Sequence, residues 1–201
     1  MKIAEFIIAA FLIIILPGQD FLYLISQSIN NNRKAALFTA FGLAAGNIVT
    51  ISAIAFGITP LILKNHSIML SLKIIGVVYI LYLSYKAFTN DTHAKLDEKS
   101  DNNESMKKFL TGVAMNVLNI KTWLFMLLFF PQFLNPNSTN PKLDIAILGI
   151  IFIIMVIIIF STIAIIASNF ASFFKSEKSR NILKYISGTM MLIIAFLIVI
   201  Q

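Results

Sequence analysis

The chain has 201 residues, 58% of them hydrophobic and 12% charged, with a mean hydropathy of +0.87. Soluble domains are about 45–50% apolar and about 25% charged, so this chain cannot cover its apolar surface with polar groups, and lipid is its natural solvent. The lack of cysteine removes disulfides, thiolate metal sites and dithiol electron transfer. The net charge of +7 and pI near 9.7 do not describe a nucleic-acid patch, because Lys and Arg gather at the ends of apolar runs, where they mark topology.

About 20 mainly apolar residues cross a hydrocarbon core roughly 30 Å thick. That ruler predicts six spans, at 3–29, 35–63, 67–88, 109–131, 143–168 and 182–200. The expected protein is an all-α integral membrane bundle, one transmembrane domain over 1–201, with no room for a soluble domain. Its first span begins after a single Lys2, lacks a small-x-small cleavage site before Pro17 and runs too long for a cleaved signal peptide.

Within span 1 the apolar run is cut by Pro17, Gly18, Gln19 and Asp20. Proline removes a backbone donor and clashes with the preceding turn, and glycine adopts angles other residues avoid, so the helix should break near mid-span. The freed backbone groups must then find partners or line a wet cavity. A charge at the bilayer centre costs at least ~2.5–3.5 kcal/mol, which gives Asp20 either a functional role or that of a cap on the resumed helix, where the helix dipole favours a carboxylate.

After the basic pair Arg33-Lys34, span 2 carries Gly42, Gly46 and Gly57, read first as close helix packing, with Gly46 and Asn47 as candidate pathway lining. Span 3 offers Tyr79 in the same capacity. The polar stretch 89–108 mixes acids and bases with almost nothing to bury and reads as a solvated linker. It separates three spans (3–88) from three spans (109–200), and an odd number per half inverts the second half, the arithmetic of inverted-repeat transporters. The basic connections place this linker in the cytoplasm and both termini outside.

Span 4 contains the second intramembrane charge, Lys121, about 18 Å from the span's start at 1.5 Å per residue. Asn116 and Asn119 accompany it, yet a continuous helix points Lys121 some ~140–160° away from both. Either one group faces another helix or the helix is irregular and gathers all three; a structural ion pair is the plainer alternative. Gln132 beyond could line a path, and Trp123 reads as packing. The two halves also echo each other: Phe6 precedes Pro17 by eleven positions, as Phe109 precedes Ile120. His66 and His93 fall in separate connections and build no metal site. No nucleophile triad, phosphate loop or paired-carboxylate arrangement occurs, so neither an enzyme nor a cofactor is expected.

The stretches "LPGQDFLYLISQSINNNRKAALFTAFGLAAGNIV", "IIGVVYILYLSYKAF" and "FLTGVAMNVLNIKTWLFMLLFFPQF" resemble, in order, the first to fourth spans of the LysE/RhtB amino-acid exporters. In that family Pro-Gly-Pro closes the first apolar run and Asn-Pro-Lys lies upstream of Pro-Gln-Phe. The likeness covers nearly the whole chain. It implies a six-span secondary exporter of amino acids or their derivatives in a bacterial cytoplasmic membrane, driven by protons. The matching positions are Pro17, Gly18, Asp20, Gly42, Gly46, Asn119, Lys121 and the run Pro131-Gln132-Phe133. Gln19 replaces the family's second proline. Ile120 replaces the proline of Asn-Pro-Lys and so removes the strongest reason to expect a break in span 4.

The resulting expectation is a midplane site with Asp20, Lys121, Asn119, Asn116 and Gln19 binding substrate and proton. A neutral zwitterion would turn its ammonium toward Asp20 and its carboxylate toward Lys121 and exposed amides at a helix start. A membrane redox protein or a non-transporting assembly subunit is the rival reading. Direction of transport and any oligomer rest on the resemblance alone.

Overall fold

The computed structural model describes residues 2–58, 66–89, 105–134, 139–170, 173 and 176–200, and among these the chain is all-helical. In order come α1 (Ile3–Ile15), α2 (Gln19–Asn30), α3 (Arg33–Ala53) with a π-helical turn at Ile54–Ile58, and α4 (His66–Thr89). Then follow α5 (Ser105–Val117), α6 (Ile120–Phe133), α7 (Pro141–Asn169) and α8 (Glu177–Ile200). Two helices, Arg33–Phe56 and Pro141–Asn169, are long and apolar enough to cross a membrane. The pairs α1–α2 and α5–α6 add two more if each counts as one bent span, giving four among the described residues where the hydropathy ruler gave six.

Most of the expected linker, 90–104, lies outside the described residues. At its two ends Thr89 is the last residue of α4, and 105–108 form the first turn of α5. Hydropathy reports where lipid would begin, and a helix need not start there.

The break in span 1 is present. Leu16, the residue before proline, is pushed to extended geometry (φ −60°, ψ 115°), as pre-proline sterics require, and α1 and α2 bend by 57°. The Pro17 carbonyl, freed by the break, accepts a hydrogen bond from Ser187 Oγ of α8 at 2.8 Å.

Span 4 breaks as well, by 55°, although Ile120 supplies no proline. Here a side chain does the work. Asn119 Oδ1 accepts the Lys121 backbone N–H at 3.0 Å and caps α6, a role for which asparagine is strongly suited. Trp123 Nε1 reaches back to donate to the Val117 carbonyl at 2.7 Å, closing the end of α5. Trp123 is therefore a capping group as well as a packing one.

Packing relies on small residues and on backbone acceptors. α3 and α5 lie backbone to backbone: a Cβ at Gly112 would sit 2.6 Å from the Thr39 carbonyl oxygen, and one at Gly46 would sit 2.9 Å from that of Val113. Gly42 is pressed against Phe109 in the same seam. Such approach is how helices associate where no hydrophobic force drives them together. Elsewhere Ser28 Oγ donates to Ala164 O of α7 at 2.6 Å, and Ser84 Oγ donates to Gly188 O, joining α4 to α8. Phe6 meets Phe130 and Phe133 edge-on at the centre of the core. On α7, Leu148, Phe152, Val156 and Phe160 are buried, while Ile150, Ile154 and Ile158 are exposed. A helix that is apolar all round suits a lipid-facing position.

Candidate functional site

The two breaks meet. Asp20, in the first turn of α2, and Asn119, the cap of α6, are joined by a hydrogen bond from Asn119 Nδ2 to Asp20 Oδ2 at 2.9 Å. One asparagine thus starts a helix with its oxygen and grips the carboxylate with its nitrogen. Asn116 stands beside the same carboxylate, and the Lys121 charge acts on it through space. Interrupting the helix at 118–119 overturns the ~140–160° separation of a continuous helix, and Asn116, Asn119 and Lys121 converge on Asp20.

Asp20 and Lys121 do not form a direct ion pair. Among the described residues the ion pair within 4 Å is Lys2–Glu5, with both side chains exposed. Lys121 lies over Gly18 instead, where an added Cβ would fall 2.6 Å from Nζ. The two charges therefore attract each other across a gap. Gly18 is the residue that lets the ammonium lie against the break.

That gap opens into a small, partly open cavity of about 40 Å³ between α1, α2, α3, α5, α6 and α7. Its lining combines the polar Asp20, Asn47, Asn116, Lys121 and Thr122 with apolar residues that include Ile13, Ile14, Phe125, Phe152, Val156 and Phe160. Three acceptors on lining residues are buried and make no hydrogen bond of good geometry within the protein, Asp20 Oδ1, Asn47 Oδ1 and Asn116 Oδ1, with the Asn116 side chain the nearest neighbour of the Asp20 carboxylate after Asn119. Leaving a buried acceptor unpaired costs about 1–3 kcal/mol, so three around one cavity indicate a place for donors.

Not every expected residue comes here. Gln19 is exposed on the first turn of α2 and does not line the cavity. Tyr79 is half-buried on α4, its ring 6.2 Å from that of Tyr82. Gln132 Nε2 donates to Leu128 O one turn back in its own helix. Gly46 acts through packing, its missing side chain leaving room for the Asn116 Cβ, which an added Cβ would approach to 2.7 Å. Gly57's surroundings lie outside the described side chains. The apolar wall from α7 was missed, since 152, 156 and 160 look like every other residue of that helix. Among the described residues no group of three His, Cys, Asp or Glu could hold a metal ion.

Long apolar helices and two broken spans that meet at a buried polar site are the make-up of a multi-pass membrane protein. The chain belongs to the LysE type translocator family, whose sequence profile matches residues 11–201. It is 26% identical over 197 residues to the uncharacterized membrane protein YrhP of Bacillus subtilis strain 168, covering 93% of each chain. It is 22% identical over 194 residues to the homoserine/homoserine lactone efflux protein of Salmonella typhimurium, covering 96% of this chain and 93% of the relative. The protein of that name from Salmonella typhi is 23% identical over 194 residues. No solved structure matches the chain. At the level of the family, the protein is an amino-acid exporter.

Proposed function

We propose that this protein is a proton-coupled secondary exporter that moves amino acids by alternating access, the halves 3–88 and 109–200 rocking as inverted repeats about the cavity. The observation that carries this reading is the Asn119–Asp20 bond, which ties the broken span of one half to the broken span of the other. The near-equal bends, 57° and 55°, support the pairing of the halves, and discontinuous helices at a midplane site are the usual device of such carriers. The chain's similarity to proteins named for homoserine efflux supports the substrate class.

In this mechanism a zwitterion enters from the cytoplasmic side, its ammonium on Asp20 and its carboxylate toward Lys121 and the first-turn amides of α6, where the helix dipole favours a negative charge. Asp20 releases a proton to accept the ammonium and takes one up from outside when the substrate leaves. Proton and ammonium compete for one carboxylate, which couples their movements. The basic connections around 33–34 and 89–108 face the cytoplasm, and the termini face outward.

The test is Asp20→Asn in proteoliposomes. The variant is expected to keep the melting temperature of the parent and to lose accumulation of amino acid driven by an imposed pH gradient. Unchanged uphill transport by Asp20→Asn removes the carboxylate from the mechanism.

A further inference from the structure

The three unpaired acceptors come from three elements: Asp20 from α2, Asn47 from α3 and Asn116 from α5. All three side chains are at least nine-tenths buried, at 6%, 2% and 2% exposure. Two are anchored by their other end, which fixes where the free oxygen lies. Asn119 holds Asp20 Oδ2, and Asn47 Nδ2 donates to the Leu43 carbonyl at 2.9 Å. Asn116 is set by the close approach of α5 to Gly46. The same lining carries the apolar Phe125 of α6 and Phe152, Val156 and Phe160 of α7, the last three spaced four residues apart on one face of that helix.

A primary ammonium carries three N–H donors. We propose that this cavity selects a primary ammonium borne on an uncharged, apolar side chain, with Asn47 and Asn116 as specificity-determining residues beside Asp20. This rests on the exporter reading and narrows its substrate. A secondary amine supplies one donor fewer and adds a methyl group where an acceptor must be reached. A 2-hydroxy acid supplies a single neutral donor. A second ammonium, as in lysine, would be driven against the phenylalanine wall, where burial of a charge without partners is expensive. The hydroxyl of homoserine meets the same wall with a smaller penalty.

The experiment is counterflow in proteoliposomes holding the full chain, with L-leucine, L-homoserine and L-lysine each labelled in turn as the probe. N-methyl-L-leucine, 2-hydroxy-4-methylpentanoate, L-homoserine and L-lysine serve as competitors. Each hydrogen bond to a charged donor is worth about tenfold or more in affinity. The N-methyl and hydroxy analogues are therefore expected to compete at least about tenfold more weakly than unlabelled leucine, and lysine more weakly still. In Asn47→Leu the ratio between leucine and N-methyl-leucine should fall to within about threefold, a change in discrimination that partial misfolding does not produce. The analogue comparison on the unaltered chain stands by itself should that variant fail to fold. Equal competition by N-methyl-leucine, or an unchanged ratio in a transporting Asn47→Leu, overturns the proposal. Counterflow of homoserine or lysine without leucine overturns the substrate assignment and leaves the exporter standing. Counterflow of none of these amino acids overturns the exporter reading and this one with it.

Discussion

Gly112→Ala is a sharp probe of the seam that holds the site. The new Cβ would meet three backbone atoms of α3: Thr39 O at 2.6 Å, Leu43 N at 3.0 Å and Gly42 C at 3.2 Å. Ordinary contact begins at 3.4 Å, so α3 and α5 must part by about 0.8 Å, because no flexible side chain can yield in their place. Overpacking of this kind costs typically 1–3 kcal/mol, and rigid backbone on both sides argues for the upper end. Alanine regains about 1 kcal/mol of helix propensity. The net loss is about 2 kcal/mol, or roughly 4–8 °C in melting temperature at about 2–4 °C per kcal/mol. Thermal unfolding of the purified protein in detergent, followed by fluorescence of Trp123, the chain's single tryptophan, reads this directly. A Gly112→Ala protein that melts at or above the parent temperature refutes the close-packed seam.

Asn119 separates two roles in one residue. Asn119→Ser keeps a capping oxygen but is too short to reach Asp20 and strands the buried Oδ2 at a cost of about 1–3 kcal/mol, so it should melt several degrees below the parent and raise the apparent KM for leucine counterflow about tenfold. Asn119→Leu should lose the cap too, at a further cost of about 1 kcal/mol, and melt several degrees lower. Ser187→Ala strands the Pro17 carbonyl, and an unsatisfied buried acceptor costs about 1–3 kcal/mol; the expected drop in melting temperature should vanish in the Ser187→Thr protein.

How much of this could be read from the chain differs between its two halves for a physical reason. Pro17-Gly18 acts locally: a missing N–H and a fixed φ break a helix in any surroundings, so the first break was visible in the letters. The second is made by an Asn119 side chain folding onto the Lys121 amide and by Trp123 reaching Val117. Both residues have other common uses, and the substituted Ile120 pointed the wrong way. The charges were legible because lipid makes them costly. The cavity's apolar wall was not, because on a helix apolar on every side nothing marks which residues face inward. Gln19, Tyr79 and Gln132 lie away from this cavity, where polarity inside a span is absorbed by an exposed first turn, a neighbouring ring or the helix's own carbonyls.

The bond between Asn119 and Asp20 has a mechanical consequence. In the proposed alternating access it serves as a pivot pin, so the broken helices should swing about their inner ends while the centre stays nearly still. A thirteen-residue arm such as α1 is about 20 Å long. A tilt of roughly ten degrees about that pin would carry its outer tip about 3.5 Å, wider than a water molecule. In that mechanism a small turn at the fulcrum is enough to unseal one mouth of the cavity.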